Sequence, residues 1–254
     1  MRDSARLATP VVHALRASPP RWVPGSTSTV LDGNHVAATA HRLQAWRGTW
    51  AAPLPGPALV ILDQQRRVIT DVVVTEDGHA QERRGIAQVL SRVNADDLWI
   101  ADRNVCTLGL MYGIARRGAA FLVRQHGQWQ GERLGAPIRQ GVTRRGTVSE
   151  PAMLVYDPCS GEALPLRRLT LALTEPTRDG DTALHLLTNV PAQDARARHL
   201  VGVDGKRWTI ETAFVELTTT LACEMRTLGY PKAALCALCL ALVVYNAVAV
   251  IKAA

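Results

Sequence analysis

Apolar residues arrive along most of this chain in short runs separated by Gly, Pro, Asp and Arg, and they lengthen only toward the C-terminal end. Residues 59–62 and 68–74 are two such runs joined by Asp63-Gln64-Gln65-Arg66, which is the pattern of a β-hairpin. Residues 26–31 are small or β-branched and carry no helix signal, so they predict a strand that ends at Asp32, with Gly33 permitting a sharp exit. Leu98-Trp99-Ile100-Ala101 predicts a buried strand and residues 120–124 another, with helices over 79–93 and 106–117. From 125 to 200 the apolar runs, at 153–156, 169–173 and 184–187, are short and punctuated by turn residues, and predict a β-rich segment. Beyond it Ile210, Phe214, Leu217 and Leu221 recur at i, i+4, i+7 and i+11, the buried stripe of a helix.

The last apolar stretch, 233–251, holds nineteen residues without a charge between Lys232 and Lys252. That length reaches the roughly 18 residues of a membrane span. Tyr245, Asn246 and the preference for small Ala and Cys fit better a helix that covers a sheet, apolar nearly all round, so no membrane association is expected.

Three acids stand where such elements end or turn: Asp32, Asp102 and Glu211. Each also has a purely structural reading. Asp32-Gly33 is a common turn pair, Asp102 is placed to cap the helix after it, and Glu211 lies four residues from Arg207, as an exposed helical ion pair would. Carboxylates held on rigid elements are also what hard divalent cations need, and phosphodiester chemistry uses two such ions roughly 4 Å apart.

Asp32-Gly33-Asn34-His35, Ala101-Asp102-Arg103-Asn104-Val105-Cys106-Thr107, Lys206-Arg207-Trp208-Thr209-Ile210-Glu211-Thr212-Ala213-Phe214 and Leu228-Gly229-Tyr230-Pro231-Lys232-Ala233-Ala234-Leu235 occur in this order. Together they resemble the successive signatures of insertion-sequence DDE transposases of the IS-four type. The resemblance implies an α/β, ribonuclease H-like fold: a mixed sheet flanked by helices, with a β-rich insertion before the glutamate helix. It implies that Asp32 and Asp102 hold two Mg²⁺ or Mn²⁺ ions with Glu211 completing the set, and that Arg207 orients Glu211 or touches the scissile phosphate. The expected reaction is strand cleavage by water to leave a 3′ hydroxyl, which then attacks target DNA. The implied partners are transposon ends and target DNA, bound by a homodimer.

The resemblance also sets the expected organisation: a loosely held arm over 1–25, the first part of the core over 26–124, the insertion over 125–200 and the core helices over 201–254. The family's third signature, Y-x₂-R-x₃-E-x₆-K, is kept in part only. Arg207 and Glu211 fit, whereas Asp204 stands at the tyrosine position and Thr218 at the lysine position. Only 31 residues precede Asp32, less than the family's usual DNA-binding region requires, so a truncated element is expected. Two competing readings follow, a transposase remnant without catalytic competence and a nuclease on the same fold.

Charge sharpens the choice of partner. The chain carries 29 Lys and Arg against 22 Asp and Glu, a formal net of +7 that suits a polyanion. Seven arginines and a single acid, Glu132, fall between 116 and 145. Arg103, Arg124, Arg144, Arg145, Lys206 and Arg207 are the expected DNA contacts, and Trp129 is placed either to stack on an extruded base or to fill a core position. Five cysteines, an odd count, give no disulfide framework and point to a reducing compartment; Cys236 and Cys239 read as helix core. The N-terminus has no continuous apolar stretch of a signal peptide, so a cytoplasmic, nucleoid-associated protein is expected.

Overall fold

The computed structural model describes residues 21–34, 58–74, 85–127, 131–157, 160–221 and 231–252. In chain order the elements are β1 (Thr27–Asn34), β2 (Ala58–Asp63), β3 (Val68–Val74), α1 (Ile86–Leu90), β4 (Asp97–Ala101), a 3₁₀ turn (Arg103–Val105), α2 (Leu108–Ala115), β5 (Ala120–Arg124), β6 (Glu132–Arg133), β7 (Ile138–Thr143), β8 (Gly146–Glu150), β9 (Ala152–Tyr156), β10 (Ala163–Leu173), β11 (Ala183–Thr188), α3 (Ala197–Gly205), a second 3₁₀ turn (Lys206–Trp208), α4 (Thr209–Val215), a π-helical turn (Glu216–Thr220) and α5 (Pro231–Ile251). They fall into two units: Thr29–Ser91 and Trp208–Ala254 contribute to one, Arg21–Ser28 and Arg92–Arg207 form the other.

In the first unit β3, β2 and β1 form an antiparallel meander. Every residue of β2 is buried, which is why its sequence, Ala-Leu-Val-Ile-Leu before Asp63, is apolar without alternation. Asp63 closes the expected hairpin: its Oδ1 accepts from the Gln65 and Arg66 amides at 3.0 and 2.9 Å, an Asx-type turn. The helical stripe after Glu211 is realised differently from its expected form. Ile210, Ala213 and Leu217 are buried while Phe214 and Leu221 are half-buried, because α4 gives way to a π-helical turn at Glu216. Thr219 and Thr220 supply the cause: β-branched side chains crowd a helix, and the Thr219 hydroxyl donates to the Val215 carbonyl at 2.6 Å.

Helix α5 lays Leu238, Leu242, Tyr245 and Asn246 inward, and Asn246 meets the outer strand of the meander. Its Oδ1 accepts from the Ile69 amide and its Nδ2 donates to the Ile69 carbonyl, both at 2.9 Å. Cys236 and Cys239, expected in the core, lie exposed with Leu240 on the other side of this helix, since only one side of it packs inward. No helix among the described residues is long and apolar enough to cross a membrane.

In the second unit β4 and β5 are parallel, and β11, β10, β8 and β7 follow antiparallel. The β-rich segment thus begins where β5 ends and returns to it, Leu187 pairing with Val123. Asn189 fixes the seam, accepting from the Phe121 amide at 2.8 Å and donating to the Ala119 carbonyl at 3.0 Å. Trp99, Phe121, Leu110, Met111 and Ile114 fill the core here. The helix expected over 106–117 is trimmed to Leu108–Ala115 because the Thr107 side chain accepts from the Leu110 amide and caps it. The helix expected over 79–93 is described from residue 85 and stops at Leu90, with Ser91 as its C-cap and turn beyond it, and the arm is described only from Arg21.

Two outcomes follow from this packing. Asn246→Ala strands a buried amide and carbonyl and is expected to lower unfolding free energy by about 3 kcal/mol in urea titrations. His185 on β11 is held below its ordinary pKa, first by burial and then by Arg168 and Arg133. A base kept neutral in the fold gains its proton only on unfolding, so this group withdraws stability as pH falls below about 6.5. His185→Asn is therefore expected to flatten the fall in melting temperature between pH 7.5 and 5.5.

Candidate active site

Asp32 sits within β1 rather than at its end: it pairs with Val60, and the ladder continues through Gly33 opposite Leu59 and Asn34 opposite Ala58. The sharp exit and the Asp-Gly turn expected from the sequence are both replaced by strand, because β2 offers partners along the whole stretch. Val30 and Leu31 before it are wholly buried, while Asp32 is half-buried, and its Oδ1 accepts from the Gly33 amide at 2.9 Å. That bond fixes the carboxylate against its own backbone. His35, in the same signature, lies outside the described residues.

Glu211 occupies the first turn of α4, half-buried between Ile210 and the exposed Thr212. Thr209 anchors this turn to the β2–β3 hairpin by donating to Gln64 Oε1.

Asp102 follows β4 directly and starts the first 3₁₀ turn in an extended conformation, φ −83° and ψ 171°. Its carbonyl accepts from the Val105 amide at 3.3 Å, but its side chain caps nothing, since the role expected of it as a helix cap belongs to Thr107. Arg207 approaches instead, its Nη2 3.8 Å from Asp102 Oδ1, and its side chain is only 3% exposed. Arg207 is therefore a buried counter-charge to Asp102 and not a member of an exposed helical ion pair. Burial to that degree also leaves it no solvent-facing surface to offer a phosphate.

Asp32 and Glu211 belong to the first unit, Asp102 and Arg207 to the second. Among the described residues no group of three or more His, Cys, Asp and Glu side chains is gathered closely enough to hold a metal ion.

The expected DNA contacts separate by environment. Arg144 and Arg145 are exposed in the turn between β7 and β8, and Lys206 is exposed with its Nζ 5.1 Å from the Trp22 ring centre. Arg103 is half-exposed and 3.8 Å from Asp181. Arg124 is engaged inside the protein: its Nε and Nη2 bind Asp204 at 3.1 and 3.0 Å, and the Asp204 side chain is 3% exposed. Trp129 lies outside the described residues. The partnership of Arg124 with Asp204 was not readable from either residue's neighbours, eighty positions apart.

A family profile described as "Transposase DDE domain" matches residues 29–247. The chain belongs to this family. Curated proteins yield no match. Among solved structures, the chain resembles one titled "Cryo-EM structure of piggyBac transposase synaptic complex with hairpin DNA (SNHP)", with a TM-score of 0.51 and 10% sequence identity over 89% of this chain. The chain spans about half, 47%, of that protein's length. At that identity the likeness concerns fold, and it agrees with the ribonuclease H-like arrangement of a mixed α/β sheet architecture flanked by helices. Asp32 on β1, Asp102 just past β4 and Glu211 after the β-rich segment all fall inside the matched region.

Because the Asp204 carboxylate is buried, removing its partner is costly. Arg124→Met is expected to destabilise the fold by about 3–5 kcal/mol. The double variant with Asp204→Leu recovers most of that loss, measured by denaturant unfolding.

Proposed function

We propose that this protein is the catalytic part of an insertion-sequence transposase of the IS-four type, which cuts and rejoins DNA strands. The observation that carries the reading is the placement of Asp32, Asp102 and Glu211, in this order and on these elements, within the DDE domain.

The donor set fits hard divalent cations: three carboxylates, with no thiolate or imidazole among them. Asp32, Asp102 and Glu211 would hold two Mg²⁺ or Mn²⁺ ions. Such ions, when bound, polarise the phosphodiester and stabilise charge on the attacking and leaving oxygens. The chain's own residues prepare for this. Gly33 N–H fixes one oxygen of Asp32. Arg207 balances the charge of Asp102 and holds its carboxylate at the end of β4. Attack by water on the scissile phosphate breaks its bond to the 3′ oxygen, which leaves as a 3′ hydroxyl; attack by that hydroxyl on a second phosphodiester joins the strands and expels the 3′ oxygen of the attacked bond as a new hydroxyl. The partners are transposon-end and target DNA, engaged by a homodimer in the cytoplasm; the fold neighbour is described as a synaptic complex with hairpin DNA.

Purified protein with Mn²⁺ is expected to nick supercoiled plasmid and to join a precut element end to it, and Asp32→Ala or Asp102→Ala to reduce both to background. Nicking without joining would identify a nuclease, and neither reaction a remnant. Mn²⁺ titration calorimetry is expected to give heat that the Asp32→Ala/Asp102→Ala double variant lacks; equal heats would remove these residues from the site.

A further inference from the structure

In the first unit the β2–β3 turn, α4 with its π-helical turn, and α5 border a cavity of about 110 Å³. Among the described residues its lining includes none of the three acids. The floor is apolar and buried: Leu62 comes from β2, Ala213 from α4, and Tyr245 and Ala249 from α5. The short side chains of Ala213 and Ala249 leave the space open. Leu62 stands opposite Val30, which precedes Asp32 by two residues on β1, and Ala213 follows Glu211 by two. An occupant would touch the helix that carries Glu211 and the strand beside Asp32.

The mouth of the cavity is charged. Glu216 and Lys252 stand there 3.5 Å apart and match each other. Arg67 completes the mouth from the hairpin turn. It is exposed, and among the described residues no carboxylate pairs with it, whereas its neighbour Arg66 is held by Asp63. One positive charge is therefore left over where the apolar floor opens to water.

The backbone marks the same residue. Arg67 has φ +55°, and among the described residues it is the only non-glycine with a positive φ. Glycine or asparagine adopts that conformation more readily, so closure of the hairpin alone does not account for an arginine. Strain of this kind persists where a side chain has work at that point in space. Here the point is the mouth of the cavity.

Size and charge together define the occupant. An enclosed apolar cavity of roughly 150 Å³ accommodates benzene. This one is smaller but open at its charged end, which suits a ring or branched body whose polar end stays at the mouth. We propose that the cavity binds a small organic monoanion, an aromatic or branched-chain carboxylate, with its apolar body against Ala213, Tyr245 and Ala249 and its carboxylate on the Arg67 guanidinium. A guanidinium offers a carboxylate two parallel donors, which a neutral amide answers in part and an ammonium group not at all. The site needs neither divalent ions nor DNA, so it stands or falls apart from the transposase reading.

The test is ligand-observed NMR and calorimetry of the full chain with benzoate, and with benzamide and benzylamine as neutral and cationic probes of the same outline. Benzoate is expected to bind with a Kd on the order of 1 mM and to raise the melting temperature. Benzamide and benzylamine are expected to bind at least about fivefold more weakly. Arg67→Gly removes the guanidinium and relieves the positive φ, so it is expected to weaken benzoate by at least about fivefold while the unliganded melting temperature holds or rises. Ala249→Leu fills the floor and is expected to remove binding from a chain that still melts cooperatively. No saturable benzoate binding at about ten times that Kd would overturn the site. Wild-type affinity in Arg67→Gly, or equal affinity for benzamide, would overturn its assignment to an anion, and wild-type affinity in Ala249→Leu its location in this cavity.

Discussion

A carboxylate withdrawn from water stays charged only if a cation follows it, and Asp204 sets that requirement at the centre of the second unit. Arg124 meets it with two donors from the end of β5, so α3 is tied to the core strand close to its own C-terminal end. Three residues beyond Asp204 comes Arg207, which stands against Asp102 at the end of the neighbouring parallel strand β4. The two buried arginines therefore bracket the same short segment, one fixing its position and the other using it. An aspartate at the position where related signatures carry tyrosine is thereby converted from a departure into an anchor.

How far the sequence disclosed this depends on the range of each interaction. The β2–β3 hairpin and the limits of β5 follow from runs of neighbouring residues and were legible. The family was legible through four ordered signatures, and the matched DDE domain spans the three acids they contain. Arginine density between 116 and 145 misled in part, because Arg116 and Arg124 meet acids beyond that window. Asp32 was assigned to a strand end because Gly33 permits a turn, yet permission is not instruction when β2 supplies ladder partners.

Polar side chains do much of the joining in both units. Asn189 and Asn246 each use one amide group to match an adjacent N–H and C=O, Asn189 at Phe121 and Ala119 of the β4–β5 pair and Asn246 at Ile69 of the meander. Thr209 and Asp63 fasten α4 and the hairpin turn in the same way. Such contacts are specific in register where apolar contacts are not, since a slip by one residue reverses every side chain of a strand and leaves the amide unmatched.

The amide pair of Asn246 also has a meaning for what this protein does among other chains. An outer strand with bare N–H and C=O groups is a template onto which a foreign strand can add, a route from a folded β-protein to a polymer. At Ile69 both groups of β3 are already occupied by a side chain that belongs to a helix. A strand arriving at Ile69 would have to displace Asn246 before it could bond there, so at this position the residue that fastens the helix also closes the strand.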